Sequence, residues 1–225
     1  MPERSGGPLL VALVVLTTVS GFLDAVSYLG LGRVFTANMT GNVLFLGFSA
    51  AGATGFSVAR SLLALAGFAV GTLAGGRLAV AVARTRRWWV CAALSTEALL
   101  IAAAAVVAGT AAGMGGRYAA IGVLAMAMGV RNATVRRLAV PDMKTTVLTM
   151  TLTGLIAESS LAGGANPRLG RRVGSVVAMA AGAAAGGWLV LRHGVVPALA
   201  IAAGCVLGVG LVYVLVSGLV REGGR

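Results

Sequence analysis

The chain of 225 residues carries 18 basic and 6 acidic side chains, a net charge of +12, yet only 11% of it is charged and 58% is hydrophobic. Its mean hydropathy is +0.95, and a soluble domain usually has about 25% charged residues, so it lacks the residues to cover a water-facing surface. The arginines fall in short gaps between apolar runs, as on a cytoplasmic membrane face, and aromatics reach only 5%, which excludes a basic nucleic-acid-binding domain.

The first apolar run, 8–31, is too long for a signal-peptide core, contains Asp24 and has no small-residue cleavage site, so it is expected to stay as a spanning helix. Five more runs are long enough to cross: 60–83, 88–109, 117–136, 173–191 and 197–220. Two shorter segments, 35–51 and 144–161, are threonine-rich with glycine near the middle. As full crossings they give eight spans; as broken or re-entrant helices they give six. Eight spans leave the basic residues divided between the two sides. Six spans leave Arg33, Arg60, Arg117 and Arg192 outside and every other basic residue in the cytoplasm, the bias expected of a membrane protein. The expected fold is therefore an all-α polytopic membrane protein with six transmembrane helices, two short threonine-rich broken or re-entrant helices, and both termini cytoplasmic. Trp88 and Trp89 follow Arg84, Arg86 and Arg87, an interfacial belt beside a cytoplasmic loop. Cys91 and Cys205 sit inside apolar segments and are read as buried small hydrophobes rather than a disulfide.

The chain repeats itself. Arg60, Gly71, Gly75 and Gly76 fall on Arg171, Gly182, Gly186 and Gly187 in one register. Thr36, Thr40 and Gly41 fall on Thr149, Thr153 and Gly154, and the stretch from Gly21 to Ala25 resembles that from Gly129 to Ala133. Matches in the same order predict two repeats, about 1–112 and 113–225, within one membrane domain. With three crossings each, the second repeat is inverted relative to the first, a secondary-transporter signature.

Asp24 shares a helix face with Thr17, Ser20, Ser27 and Tyr28. A carboxylate within a span is costly and faces a cavity or a partner. It is read as a substrate, proton or cation site, or as a packing anchor meeting Arg131 or Asn132. Thr145, Thr149 and Thr153 form one stripe, Thr36 and Thr40 a second, and Asn38 and Asn42 a third. Such groups line a solute site on a broken helix or act as interhelical glue. Glu97, mid-span, is a second proton-coupling candidate beside Asp24. Glu158 is expected to meet water or Arg168, and Asp142 to start a helix or lie in a loop. Gly67, Gly71 and Gly75, with Gly182 and Gly186, form small-xxx-small faces expected to pack the two equivalent helices together. The single His193 and the absence of a phosphate-binding glycine pattern give no metal site, no cofactor and no catalytic residue, so no enzyme is expected.

The stretch from Gly21 to Tyr28, the run from Phe35 to Asn42, and the second set Gly129-Val130-Arg131-Asn132-Ala133, Arg136-Arg137-Leu138 and Thr145 through Gly154 resemble the YoaK-like family (DUF1275) of bacterial integral membrane proteins. The resemblance covers essentially the whole chain. It implies a multi-pass protein of the bacterial cytoplasmic (inner) membrane and supplies no substrate. The family pattern leads us to expect glutamine at position 131, where this chain has arginine.

Together these readings predict a small permease for a polar solute or ion, with a midplane site lined by Asp24, Asn38, Thr40, Asn42, Asn132, Thr149 and Thr153. Its partners would be membrane lipid, the solute and, as chain length allows, further copies of itself. The alternative is a non-transporting sensor or assembly scaffold in which the same polar residues are packing glue.

Overall fold

A computed structural model describes residues 6–82, 86–111, 113–138 and 148–222. Asp142, Lys144, Thr145 and Thr146, singled out from the sequence, lie outside the described residues. Eight α-helices follow in order among the described residues: α1 (Gly6–Gly30), α2 (Met39–Ala50), α3 (Val58–Ala81), α4 (Arg86–Thr110), α5 (Met114–Leu138), α6 (Leu148–Ala157), α7 (Leu169–His193) and α8 (Val195–Glu222). Six of them, all but α2 and α6, are long and apolar enough to cross a membrane. At 1.5 Å per residue, α2 and α6 reach only about 18 and 15 Å, against a hydrocarbon core of about 30 Å. The protein is a polytopic all-α membrane protein with six spans, not eight.

Local chemistry sets the helix ends. Asn38 caps α2, its side chain accepting from the Gly41 N–H, and Ser57 caps α3 by accepting from Arg60 N–H. Gly194, with φ of +85°, stops α7 and lets α8 begin at the next residue, a backbone shape that a side chain would strain. Lipid-facing bulk is supplied by exposed residues such as Val70, Leu99, Leu207 and Leu211. The main apolar core is built from α1, α4, α5 and α8, around Leu23, Ile101, Leu124 and Leu199. The least apolar span, α5, with mean hydropathy 1.3, is also the most enclosed, which keeps its polar side chains away from lipid.

Helix α1 packs on α7, α3 on α5, and α4 on both α5 and α8; α2 lies against α3 and α6 against α7. The glycine faces make the closest approaches. A Cβ on Gly71 would meet the Met126 carbonyl and one on Gly75 would meet Val130, both on α5. A Cβ on Gly182 would meet the Thr18 carbonyl and one on Gly186 would meet Phe22, both on α1. In the reverse direction Gly129 abuts Phe68 and Thr72, while Gly21 abuts Met179 and Ala183. These contacts recur in the same register in which the sequence lays Gly71 on Gly182 and Gly21 on Gly129. The glycine-rich helices α3 and α7 are thus packed on α5 and α1, and not on each other as small-xxx-small spacing suggested. Spacing reports a close approach but carries no information about which helix makes it.

Basic and aromatic side chains cluster at the two ends of the bundle. Arg87 lies over Trp88 and Arg137 over Trp89, each 5.8 Å from the ring centroid, at one end. Arg60 lies over Tyr118 at 5.9 Å and donates to the Gly32 carbonyl at the other. Cys91 and Cys205 are free thiols, but neither is buried as expected: Cys91 is half-buried and Cys205 exposed on the bundle surface.

Candidate functional site

Asp24 is buried on α1, and its Oδ1 accepts from the backbone N–H groups of Thr36 (3.1 Å) and Ala37 (2.8 Å). These donors belong to the non-helical link into α2, so the carboxylate organises the N-terminal end of that helix, where a negative charge is favourable. Ser27 supports the same link, its hydroxyl 3.4 Å from that of Thr36. Asn42, fully buried, accepts from Phe35 N–H (2.9 Å) and donates to Phe35 C=O (2.7 Å). Stacked rings finish the link: Tyr28 on Phe35 at 5.1 Å, Phe35 on Phe45 at 5.5 Å and Phe45 on Phe56 at 4.9 Å. Asp24, Asn38 and Asn42 therefore converge, but on backbone rather than around a space for a solute.

Of the striped threonines only Thr36 joins them. Thr40, Thr149 and Thr153 are exposed, and Thr153 donates back to its own helix at Thr149 C=O. It is Thr151, two residues from each of the latter pair, that is buried. Asn132 donates to Met128 C=O one turn earlier on α5. Glu158 pairs with Arg172 at 2.8 Å, and the same guanidinium bonds the Gly154 carbonyl at 2.5 Å, fastening α6 to α7.

The charged centre lies elsewhere. Glu97 on α4 and Arg131 on α5, each 1% exposed, form an ion pair through Oε1 and Nη2. Arg131 Nη1 also reaches α1, donating to Leu16 C=O and to Ser20 Oγ, both at 2.9 Å. One guanidinium thus ties α5 to α1 and α4. The second carboxylate oxygen, Glu97 Oε2, and the guanidinium Nε are buried without a hydrogen-bond partner. Beside them is a cavity of about 20 Å³ lined by Leu13, Leu16, Leu94, Thr134, Val135 and Tyr213 among others, room for one water-sized species. Two larger clefts, about 410 and 550 Å³, run along α8 past Gly208 and are lined almost wholly by apolar side chains; they bring no charged group together.

The sequence identifies Glu97 as a proton-coupling candidate but does not pair it with Arg131, which it offers only as an alternative to Asn132 opposite Asp24. The missed signal is that each is an isolated charge deep in an apolar helix, and two such charges of opposite sign need one another in lipid.

Because Asp24 answers two N–H groups at once, Asp24→Leu is expected to lower stability by about 1–3 kcal/mol for each donor left unsatisfied. Asp24→Asn, whose amide oxygen still accepts, is expected to cost less. Thermal unfolding of both variants in detergent checks the order; an asparagine variant as unstable as the leucine one would contradict it.

A family model described as "Protein of unknown function (DUF1275)" matches residues 12–212. Over 153 residues the chain is 34% identical to the UPF0700 transmembrane protein YoaK of Bacillus subtilis (strain 168), an alignment covering 67% of this chain and 66% of that relative. The chain thus spans just under two thirds of that relative's length. No solved structure matches.

Proposed function

We propose a transport function for this chain, which belongs to the DUF1275 family: a small secondary permease of the bacterial cytoplasmic membrane that handles a small polar solute or ion at the Glu97–Arg131 pair. The observation carrying this reading is the buried guanidinium itself, which bonds α1 and α4 from α5. Charged side chains inside a membrane bundle are rare and mark pathways or relays, and this pair retains unused hydrogen-bonding capacity beside a small cavity.

The bundle also suggests how access would alternate. Helix α1 with α7 and α6 makes one arm, α5 with α3 and α2 the other, and α4 and α8 stand between them. The matched glycine contacts support a duplication into two inverted repeats, with each arm drawing helices from both. Rocking one arm against the other would break and remake the Arg131 bonds to Leu16 and Ser20, so a solute that competes for this guanidinium is coupled to the motion. The clusters of Arg87 and Arg137 on the tryptophans at one end support placing both termini in the cytoplasm.

The scaffold reading also has an observation in its favour, since Asp24 and Asn42 hold backbone and Thr40, Thr149 and Thr153 face outward. A thermal-shift screen of ions, amino acids, sugars, nucleosides and organic acids on detergent-purified protein separates the two, because a bound ligand stabilises the folded state by mass action. The permease reading expects a compound that stabilises the native protein and not the Glu97→Gln/Arg131→Gln double variant. Equal stabilisation of both, or of neither by any compound, favours the scaffold.

A further inference from the structure

We propose that the Glu97–Arg131 pair is a proton–anion cotransport centre that works by exchange of partners on Arg131: a proton on Glu97 frees Arg131 to hold a small monovalent anion, and the two are carried together. The inference rests on the permease reading and deepens it by naming the substrate class.

The pair is closed as found, carboxylate against guanidinium, with no net charge. Arg131 otherwise touches only neutral acceptors, the Leu16 carbonyl and the Ser20 hydroxyl. The nearby carboxylate of Asp24 is held by the Thr36 and Ala37 N–H groups. If Glu97 takes up a proton, the guanidinium is left with no bonded counter-charge, only the nearby Asp24 carboxylate that two backbone N–H groups already hold, a state costly inside a membrane. A small anion restores neutrality. If an anion enters while Glu97 is ionised, two negative groups compete for one cation, and the carboxylate must protonate or withdraw. Proton and anion therefore bind together or not at all, and the centre is neutral whether empty or loaded. On release, the proton leaves Glu97, the anion leaves Arg131, and the ion pair re-forms; no bond to carbon changes and no other reactant is needed.

Two unused groups fit this exchange. Arg131 offers the fork of Nε and Nη2 suited to bidentate anion binding, and only Nη2 is engaged by Glu97, while Nε has no partner. Glu97 Oε2 also has none, and both side chains border a cavity of about 20 Å³, large enough for one water molecule, whose exposed lining is apolar. A cation at Oε2 would face the guanidinium across the same small space, which selects against cationic solutes. The titratable groups facing Glu97 are Arg131 from α5 and Tyr213 from α8, and the cavity lining contains no other; Asp24 of α1 completes the charged surroundings of Arg131.

The test uses full-length protein in liposomes with a lumenal pH dye and nitrate or chloride gradients, since these anions do not cross as neutral acids. Membrane potential is clamped with potassium and valinomycin. An inward nitrate gradient is expected to acidify the lumen of wild-type vesicles under the clamp. Glu97→Gln, which keeps the cation, is expected to pass nitrate without acidification. In Glu97→Gln/Arg131→Gln, which removes both charges and avoids a lone buried one, both signals are expected to fall to the protein-free rate. Wild-type nitrate or chloride flux without proton movement overturns the exchange. So does flux of a neutral or cationic solute with none of either anion, and that result leaves the permease reading standing. No flux of any solute by folded wild-type protein overturns both.

Discussion

Arg131→Gln with Glu97 left in place is expected to destabilise the protein by about 3–5 kcal/mol, the cost of stranding one member of a buried ion pair. Glu97 is 1% exposed, and its one hydrogen-bonded oxygen is bound by Arg131, so removing the guanidinium leaves a carboxylate in an apolar bundle with little to answer it. Ser20 and the Leu16 carbonyl lose their donor at the same time. The Glu97→Gln/Arg131→Gln double variant is expected to regain most of that loss, because two amides of similar size carry no charge to bury. The interaction energy across this double-mutant cycle, measured by thermal or denaturant unfolding in detergent, is expected to be large. Additive single effects would mean that the two side chains do not depend on one another.

The second large effect concerns the helix crossings. Gly71→Ala and Gly182→Ala each drive a methyl group onto a backbone carbonyl, of Met126 and Thr18 respectively. Backbone cannot swing aside as a side chain does, so α3 must part from α5, or α7 from α1. Each substitution is expected to cost about 1–3 kcal/mol or more, and leucine at either site is expected to abolish folding. Gly76, one residue past the α3 contact face, has nothing near its missing Cβ; Gly76→Ala should be neutral or stabilising by about 0.5–1 kcal/mol through helix propensity. Melting curves of the three alanine variants check the contrast. Equal tolerance at Gly71 and Gly76 would contradict the close crossing.

How much of this was legible beforehand differed with the physical signal involved. The six spans were, because hydropathy over about 20 residues is a property of the segment itself. The buried face of α1 was also legible, since spacings of three and four place Thr17, Ser20, Asp24 and Ser27 together, and all four are buried. The threonine stripe of α6 shows where that reasoning ends. Spacing of four puts Thr149 and Thr153 on one face, but only the packing of α6 on α7 decides that this face turns outward while Thr151 turns in. The glycine stripes likewise announced close packing without naming α5 and α1 as its partners. Asp24 was identified as costly to bury, yet its cost is met by backbone donors of residues 36 and 37, which no side-chain pattern reveals. The Glu97–Arg131 contact joins residues far apart in sequence, and only the need of each lone charge for a counter-charge could have suggested it.

The most direct test of alternating access at this centre is thiol labelling of Ser20→Cys, introduced after Cys91 and Cys205 are replaced. The Ser20 hydroxyl touches Arg131 and is 1% exposed, and cysteine is close to serine in size. In sealed vesicles of known orientation, a membrane-impermeant thiol reagent is expected to reach this position slowly from either side, at rates that nitrate alters in opposite directions. Labelling from one side only, or from neither in protein that remains folded, would contradict a transport cycle through the Glu97–Arg131 pair.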